Sequence, residues 1–181
     1  MNTFVSLLRG INVSGQKKIK MAALRDIYQS LGFSDVESYL QSGNVVFTTA
    51  EEDAAIVAQS IKDAIADAFG YSVSVILRDV VTFRLVFTGN PFLIDSDEDP
   101  AKLYVTFLAN VPNADDLSNL SLPVGVADDF HVVGQHVYVF CPNGYGRTKL
   151  NNTFFERKLK VAATTRNWRT VTALHTMMQS S

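Results

Sequence analysis

Two spacings of apolar residues alternate along the first half of the chain and predict six secondary-structure elements. Apolar residues at every second position are typical of a half-buried strand, and apolar residues three and four places apart are typical of a helix with one buried face. The predicted elements are, in order, a strand at 3–9, a helix at 21–31, strands at 36–41 and 45–49, a helix at 51–69 and a strand at 73–78. The order strand, helix, strand, strand, helix, strand is that of a ferredoxin-like unit.

The second half of the chain repeats this order in a weaker form. Residues 103–108, LYVTFL, match residues 3–8, TFVSLL, at four positions when Phe is counted with Tyr and Ser with Thr. The elements predicted after residue 78 are helices at 79–87 and 115–120, strands at 129–133 and 137–140, a helix at 149–160, a last strand confined to 161–164 and a helix at 165–178. We therefore predict an α+β protein of two tandem ferredoxin-like (βαββαβ-type) halves, the second ending in two helices.

The two halves are assigned to residues 1–90 and 101–181, and the largely acidic residues 91–100 are interpreted as a solvated linker. A chain of 181 residues with 47% hydrophobic residues is long enough for one compact unit or for two small ones. It begins without a leader-like apolar run and contains no stretch of about 18 uninterrupted apolar residues. We therefore expect a cytoplasmic protein that is not inserted in a membrane.

Charge adds a feature that the hydrophobic pattern does not contain. The segment from Tyr145 to Thr170, called the basic segment below, holds seven of the 16 Lys and Arg residues and one of the 18 acidic residues, Glu156. Its net charge is +6 in a chain whose net charge is -2. A cluster of one sign on a nearly neutral chain is typical of a site for an anion, because its field concentrates phosphate or carboxylate groups.

The predicted helix starts support the same interpretation. The first turn of a helix has unpaired N–H groups and a partial positive charge, so it favours Asp and Glu, as at 51–53 and 115–116. Three predicted starts are cationic instead, at 17–20, 147–149 and 164–169. Such a start is suited to binding phosphate. If no anion is bound, replacing Arg147 or Arg166 by Ala is expected to raise stability slightly.

Known phosphate-binding motifs are incomplete in this chain. The loop from Gly10 to Gly15 resembles a P-loop, but its lysine comes one place late and no Ser or Thr follows that lysine. Gly144 and Gly146 precede a predicted helix without the third glycine of a dinucleotide-binding fingerprint. Neither motif therefore identifies the ligand, and no cofactor is predicted.

Catalytic and metal-binding residues are not evident either. Cys141 is the only cysteine and is interpreted as a packed thiol, and the three histidines lack the spacing of metal ligands. Glu156, the single acid of the basic segment, is expected to pair with Lys160 four residues later on one helix face. Trp168 stands between two arginines and could stack on a nucleobase, although a lone Trp near a helix start more often packs in a core. Whether a reaction is catalysed stays open.

Three sets of motifs resemble the bacterial domain of unknown function 1697 family. They are LLRGINV at 7–13, SGNVVF at 42–47, and a C-terminal set of GRTKL at 146–150, ER at 156–157 and TTRNWRT at 164–170. The resemblance covers nearly the whole chain and implies a small α+β bacterial protein with no assigned activity. Ser14 and Lys160 stand where the family usually has glycine, which suggests that the backbone at residue 14 is undemanding and that Lys160 adds a cation.

We predict that the loop after the first strand and the basic segment meet and bind one anionic, phosphate-bearing ligand such as a nucleotide or a phosphorylated metabolite. The candidate ligand-binding residues are the cations of both regions and the polar and aromatic residues of the motifs: Arg9, Asn12, Lys18, Lys20, Arg147, Lys149, Arg157, Thr165, Arg166, Asn167, Trp168 and Arg169. Two alternatives are a non-enzymatic module that binds RNA or DNA and a protein that binds an acidic partner. The sequence does not indicate an oligomeric state.

Overall fold

The computed structural model of the chain describes residues 1–180, which form an α+β fold of two similar halves. The first half consists of β1 (Asn2–Leu8), α1 (Met21–Ser30), β2 (Ser34–Tyr39), β3 (Asn44–Thr49), α2 (Ala54–Phe69) and β4 (Val75–Asp79). Its four strands form one antiparallel sheet in the order β2-β3-β1-β4. The hydrophobic pattern therefore predicts the order of these elements correctly.

The second half has the same sequence of strands. After α3 (Val80–Thr88) and α4 (Pro91–Ile94) come β5 (Leu103–Leu108), α5 (Ala114–Ser118), β6 (Asp129–Val133), β7 (His136–Phe140), α6 (Asn152–Leu159), β8 (Ala163–Asn167) and α7 (Trp168–Ser180). Single 3-10 turns lie at Pro100–Lys102 and Tyr145–Arg147. The four strands form a second antiparallel sheet in the order β6-β7-β5-β8, which repeats the order of the first sheet.

The chain divides into two compact units. The first unit comprises residues 1–85 together with the C-terminal part of α7 from residue 173, and the second unit comprises residues 86–172. The core of the first unit lies between its sheet and the buried faces of α1 and α2, where Leu24 and Tyr28 from α1 and Ile61 from α2 meet Phe47. In the second unit, α6 packs on the sheet through Phe155 and other buried residues.

A short sequence is repeated at the same place in both sheets. The pattern Arg-Asp/Asn-x-x-Thr occurs at 78–82, where β4 ends, and at 166–170, where β8 ends. In each copy the arginine is buried and lies opposite a valine of the central strand, Val5 or Val105. The Asp or Asn side chain accepts a hydrogen bond from the backbone N–H of the Thr, at 2.6 Å in the first copy and 2.8 Å in the second. The duplication thus extends to side-chain capping of the helix that follows.

Two of the three cationic helix starts are corrected by the structure. The predicted helix at 165–178 begins only at Trp168, because Ala163–Asn167 pairs with β5 as a strand and Thr165 Oγ1 lies 2.7 Å from Thr106 Oγ1. The predicted helix at 149–160 begins at Asn152, because Asn151 caps it with a hydrogen bond from Phe154 N–H. Arg166 and Lys149 therefore do not belong to the first turn of a helix. Lys20 does occupy the N-cap of α1, without a side-chain cap.

Ser14 and Lys160, where the resemblance leads us to expect glycine, both have a left-handed backbone. Their φ angles are +50° and +56°, so the expectation that residue 14 is undemanding is wrong. Lys160 is the C-cap of α6, and its Nζ lies 2.7 Å from Asp116 Oδ1. The predicted pair with Glu156 does not form, because Glu156 Oε1 accepts a hydrogen bond from Ala163 N–H and Lys160 turns to Asp116.

We expect Ser14→Gly to stabilise the protein by about 1 kcal/mol or less. A left-handed backbone costs a residue other than glycine about 1–2 kcal/mol, and the greater freedom of glycine in the unfolded chain offsets about 0.4–1 kcal/mol of the gain.

Lys160→Gly relieves the same strain but also removes the ion pair with Asp116. The hydrogen bond from Lys160, the largest cause, lowers the pKa of the Asp116 carboxyl.

The two variants should therefore respond differently to pH. A depressed carboxyl pKa stabilises the folded state above the unfolded pKa of Asp, about 3.9, and this contribution disappears as the pH falls through the folded pKa. Relative to the wild type, Lys160→Gly should gain stability as the pH falls below 4, whereas the advantage of Ser14→Gly should stay constant. Urea unfolding at pH 7 and at steps below pH 4 measures both. A constant difference for Lys160→Gly would show that the ion pair does not contribute to stability.

Candidate functional site

A groove in the second unit brings cations of the basic segment together. The groove, called the basic groove below, has a volume of 710 Å³. It is lined by Ser121, Leu122, Pro123, Val124, Thr148, Lys149, Asn151, Thr153, Phe154, Arg157 and Lys158. One side is the loop at 121–124, and the other is the segment that leads into α6 together with α6 itself.

Helix α6 holds Arg157 and Lys158 at the groove because its other face is buried. Phe155 and Leu159 pack in the core of the second unit, and the ring of Phe155 meets that of Phe130 edge-on at 5.8 Å. Arg157 and Lys158 fall between these two buried positions and are exposed. Since the helix is anchored on one side, its cations stay on the solvent side, where a ligand can reach them.

Lys149 is positioned by its two neighbours in the chain. Thr148 Oγ1 donates a hydrogen bond to the buried carboxylate of Asp128 at 2.6 Å and accepts one from Leu150 N–H at 2.9 Å. Leu150 is itself fully buried in the core. The backbone on both sides of Lys149 is thus fixed while its own side chain is exposed.

A smaller pocket of 410 Å³ adjoins the basic groove, and Lys149 lines both. The smaller pocket also contains Arg147, Asp128, Asn143 and residues 125–127. Asp128 partly balances the two cations of this pocket. The basic groove, in contrast, is lined by Lys149, Arg157 and Lys158 and by no carboxylate. The lining of the basic groove therefore has three cations and no carboxylate, against two cations and one carboxylate in the smaller pocket.

Two reactive side chains near the site are engaged in the structure. Burial raises the pKa of the Cys141 thiol to about 11, so the thiol is neutral at pH 7 and packs in the core, as predicted. Glu156 Oε1 accepts from Ala163 N–H, and Glu156 does not line the basic groove. Among residues 1–180, no group of His, Cys, Asp and Glu is arranged to hold a metal ion.

Four of the predicted ligand-binding residues lie at the end of the basic segment and have structural contacts. Arg166 is 7% exposed and donates from Nη1 to Thr164 Oγ1 at 2.8 Å and to the Thr165 carbonyl at 3.0 Å. Thr165 Oγ1 donates to Asn152 Oδ1. The buried Trp168 stacks on Phe87 with ring centroids 5.7 Å apart, and Asn167 caps α7. A fifth predicted residue, Arg169, is exposed on the first turn of α7.

The other four predicted residues, Arg9, Asn12, Lys18 and Lys20, belong to the first unit. The Asn12 amide organises its own loop: Nδ2 donates to the carbonyls of Ile19 and Gln41 at 2.9 and 2.8 Å, and Oδ1 accepts from Ile19 N–H at 2.8 Å. Arg9 is half-buried, and Lys18 and Lys20 are exposed. That these residues meet the basic segment at one site stays a prediction.

The sequence predicts Arg147, Lys149 and Arg157 as ligand residues, and the structure brings them to two adjoining concavities. It adds lining residues that charge could not reveal. The loop at 121–124 carries no charge, and Asp128 lies 20 residues before its partner Thr148. Nothing in the chain marks these residues as neighbours of the basic segment, so only the fold identifies them.

Comparisons with known proteins give a family and a fold. The model of the family described as "Protein of unknown function (DUF1697)" matches residues 1–138. Among solved structures, the chain is similar to the conserved bacterial protein SP0830 from Streptococcus pneumoniae, with 24% sequence identity, a TM-score of 0.76 and 98% of each chain covered. At this identity the likeness shows a common fold. No curated protein matches the chain, and no helix within residues 1–180 is long and apolar enough to cross a bilayer.

Proposed function

Because the chain belongs to the DUF1697 family, whose description assigns no activity, we propose its function from the site: the second unit binds a phosphate-bearing anion in the basic groove. One observation carries this proposal. Lys149, Arg157 and Lys158 line a groove of 710 Å³ in which no carboxylate balances them. Volumes of about 300–1,000 Å³ are usual for sites of small molecules.

The polar residues of the groove suit phosphate oxygens. Arg157 offers a planar fork of N–H donors that matches two oxygens of one phosphate, and the lysines add point charges. Thr153 lies in the first turn of α6 and supplies a hydroxyl, and Asn151 precedes it at the N-cap. The first turn of α6 adds a partial positive charge of its own. The ligand therefore meets full and partial positive charges along one wall.

A small anion is favoured over nucleic acid by the position of Trp168. A sequence-independent site for single strands needs exposed aromatic rings on which bases stack. Trp168, the ring predicted for this role, is 7% exposed and stacks on Phe87.

We also propose that each half is a ferredoxin-like unit, since both sheets have the strand order expected of the strand, helix, strand, strand, helix, strand pattern.

Titration with pyrophosphate at low salt tests the anion site. We expect Arg157→Ala to weaken pyrophosphate binding about tenfold or more, because a hydrogen bond to a charged group contributes about 1.5–3 kcal/mol. Lys62→Ala, which removes an exposed cation on α2, is the matched control and should bind as the wild type does. Calorimetry measures the affinities, and melting temperatures verify that both variants are folded.

Three other outcomes of these titrations would contradict the proposed anion site. Equal affinities of Arg157→Ala and the wild type, or an equal loss in Lys62→Ala, would contradict a site at the basic groove. Absence of pyrophosphate binding at low salt would contradict the proposal as a whole. If single-stranded RNA instead binds with an affinity that falls steeply with salt, the nucleic-acid alternative replaces it.

A further inference from the structure

The basic groove has an apolar wall in addition to its cations. Leu122, Pro123 and Val124 are three consecutive apolar residues of the loop that faces α6 across the groove. Val124 is 95% exposed and Leu122 is 43% exposed. Val124 therefore has almost no packing that would hold the loop in place. Exposed apolar residues grouped at a concave surface are typical of a binding site.

The size of the groove separates possible ligands. At 710 Å³ it has room for a drug-sized molecule. An inorganic phosphate ion would contact Lys149 or Arg157 and leave the apolar wall in water. The ligand that uses the whole groove therefore has a separate part that Leu122 and Val124 can cover.

We infer that the ligand is a nucleoside phosphate, with its base on the apolar wall and its phosphates on Lys149, Arg157 and Lys158. This inference rests on the proposed anion site and names the ligand class. A base has flat apolar faces for Leu122 and Val124, and apolar side chains commonly sandwich bases in protein pockets.

Two other ligand classes fit the lining less well. Ser121, which precedes the apolar wall in the chain, brings a hydroxyl that can bond to the ribose or to the edge of the base. An acyl phosphate would leave this hydroxyl unused. A sugar phosphate would leave the apolar wall unused, because a sugar ring has no face as flat and apolar as that of a base.

Comparison of ADP with pyrophosphate tests the assignment, because both carry two linked phosphates and only ADP has a base. We expect ADP to bind about fivefold to tenfold more tightly than pyrophosphate, from apolar area that the base and the loop remove from water. Val124→Ser should reduce this ratio towards one by weakening the binding of ADP. Val81→Ser, at another exposed valine, 71% exposed in α3, should retain the wild-type ratio.

Each of the other possible results contradicts one or both of the two proposals, the anion site and the nucleoside phosphate. Equal affinities for ADP and pyrophosphate, with a loss of both in Arg157→Ala, would overturn the nucleoside assignment and leave the anion site intact. Octyl phosphate binding as tightly as ADP would overturn the choice of a base. Absence of binding by either ADP or pyrophosphate would overturn both proposals. Since Val124 is almost fully exposed, its replacement should not alter the melting temperature, which is measured alongside.

Discussion

Replacing Gly43 by alanine is expected to destabilise the protein by about 1–4 kcal/mol, a large share of the usual 5–15 kcal/mol of a folded domain. The φ angle of Gly43 is +81°, and a left-handed backbone costs alanine about 1–2 kcal/mol, of which the smaller freedom of alanine in the unfolded chain offsets about 0.4–1 kcal/mol. An added Cβ would also lie 2.7 Å from Leu8 Cβ and 2.8 Å from Ile11 Cδ1. Both neighbours are buried in the core and cannot move freely, so overpacking adds about 1–3 kcal/mol.

Gly32 provides a control that isolates the close contact. Its φ angle is +82°, and no atom lies within 4 Å of the position its Cβ would take. Gly32→Ala should therefore cost only the backbone term, about 1 kcal/mol or less after the offset from the unfolded chain. Urea unfolding of both variants gives the difference. Equal losses would mean that Leu8 and Ile11 move aside without cost and that Gly43 is required for its backbone alone.

Gly43 also shows what the sequence could reveal of the fold. Ser42, Gly43 and Asn44 predict a tight turn, and the turn is there between β2 and β3. The close approach of Leu8 and Ile11 is a contact across more than 30 residues, and no local pattern contains it. The spacing of apolar residues and the turn residues therefore predict where helices and strands begin and end. The distances between packed side chains depend on tertiary contacts, which the local sequence does not contain.

The last strand lies at Ala163–Asn167, whereas the sequence predicts it at 161–164, for a related reason. The sequence pattern assigns residues 164–169 to a cationic helix start, because this stretch contains Arg166 and Arg169. Pairing with β5, and not the local charge, determines that this segment is a strand, since its residues lie in register with Tyr104 to Leu108. One local signal did exist: the pattern Arg-Asp/Asn-x-x-Thr occurs twice, and its copy at 78–82 follows a clear strand. The repeat would have placed Arg166 at a strand end.

The candidate site was predictable only on its charged side. Arg147, Lys149 and Arg157 are close along the chain, so a cluster of charge in the sequence becomes a cluster in space. The apolar wall at 122–124 lies more than 20 residues away and has the composition of an ordinary loop. These residues are candidates for ligand binding only because they are exposed at the groove, and their exposure is a property of the folded chain alone.

Loss of the Arg166 side chain is expected to destabilise the protein strongly, which reverses the slight gain predicted from its position in the sequence. Arg166 is 7% exposed and donates two hydrogen bonds from Nη1, to Thr164 Oγ1 and to the Thr165 carbonyl. Arg166→Ala removes this donor and leaves the buried space of the long side chain unfilled, at a cost of about 2–4 kcal/mol. Arg147 is exposed, so Arg147→Ala should change stability by about 0.5 kcal/mol or less.

Arg166→Met and phosphate separate the possible roles of this arginine. Methionine fills part of the same space without the charge, so the difference between Arg166→Met and Arg166→Ala measures packing, and the loss that remains in Arg166→Met measures hydrogen bonding. A structural arginine gives the same loss in unfolding free energy with and without phosphate. A ligand-binding arginine instead makes the loss larger when phosphate is present, because phosphate stabilises only a folded protein that binds it. An unchanged unfolding free energy of Arg166→Ala in both buffers would contradict both roles.

Arg78→Ala provides a parallel variant, because Arg78 has the equivalent buried position in β4. If the repeat is structural, Arg78→Ala should lose as much stability as Arg166→Ala does.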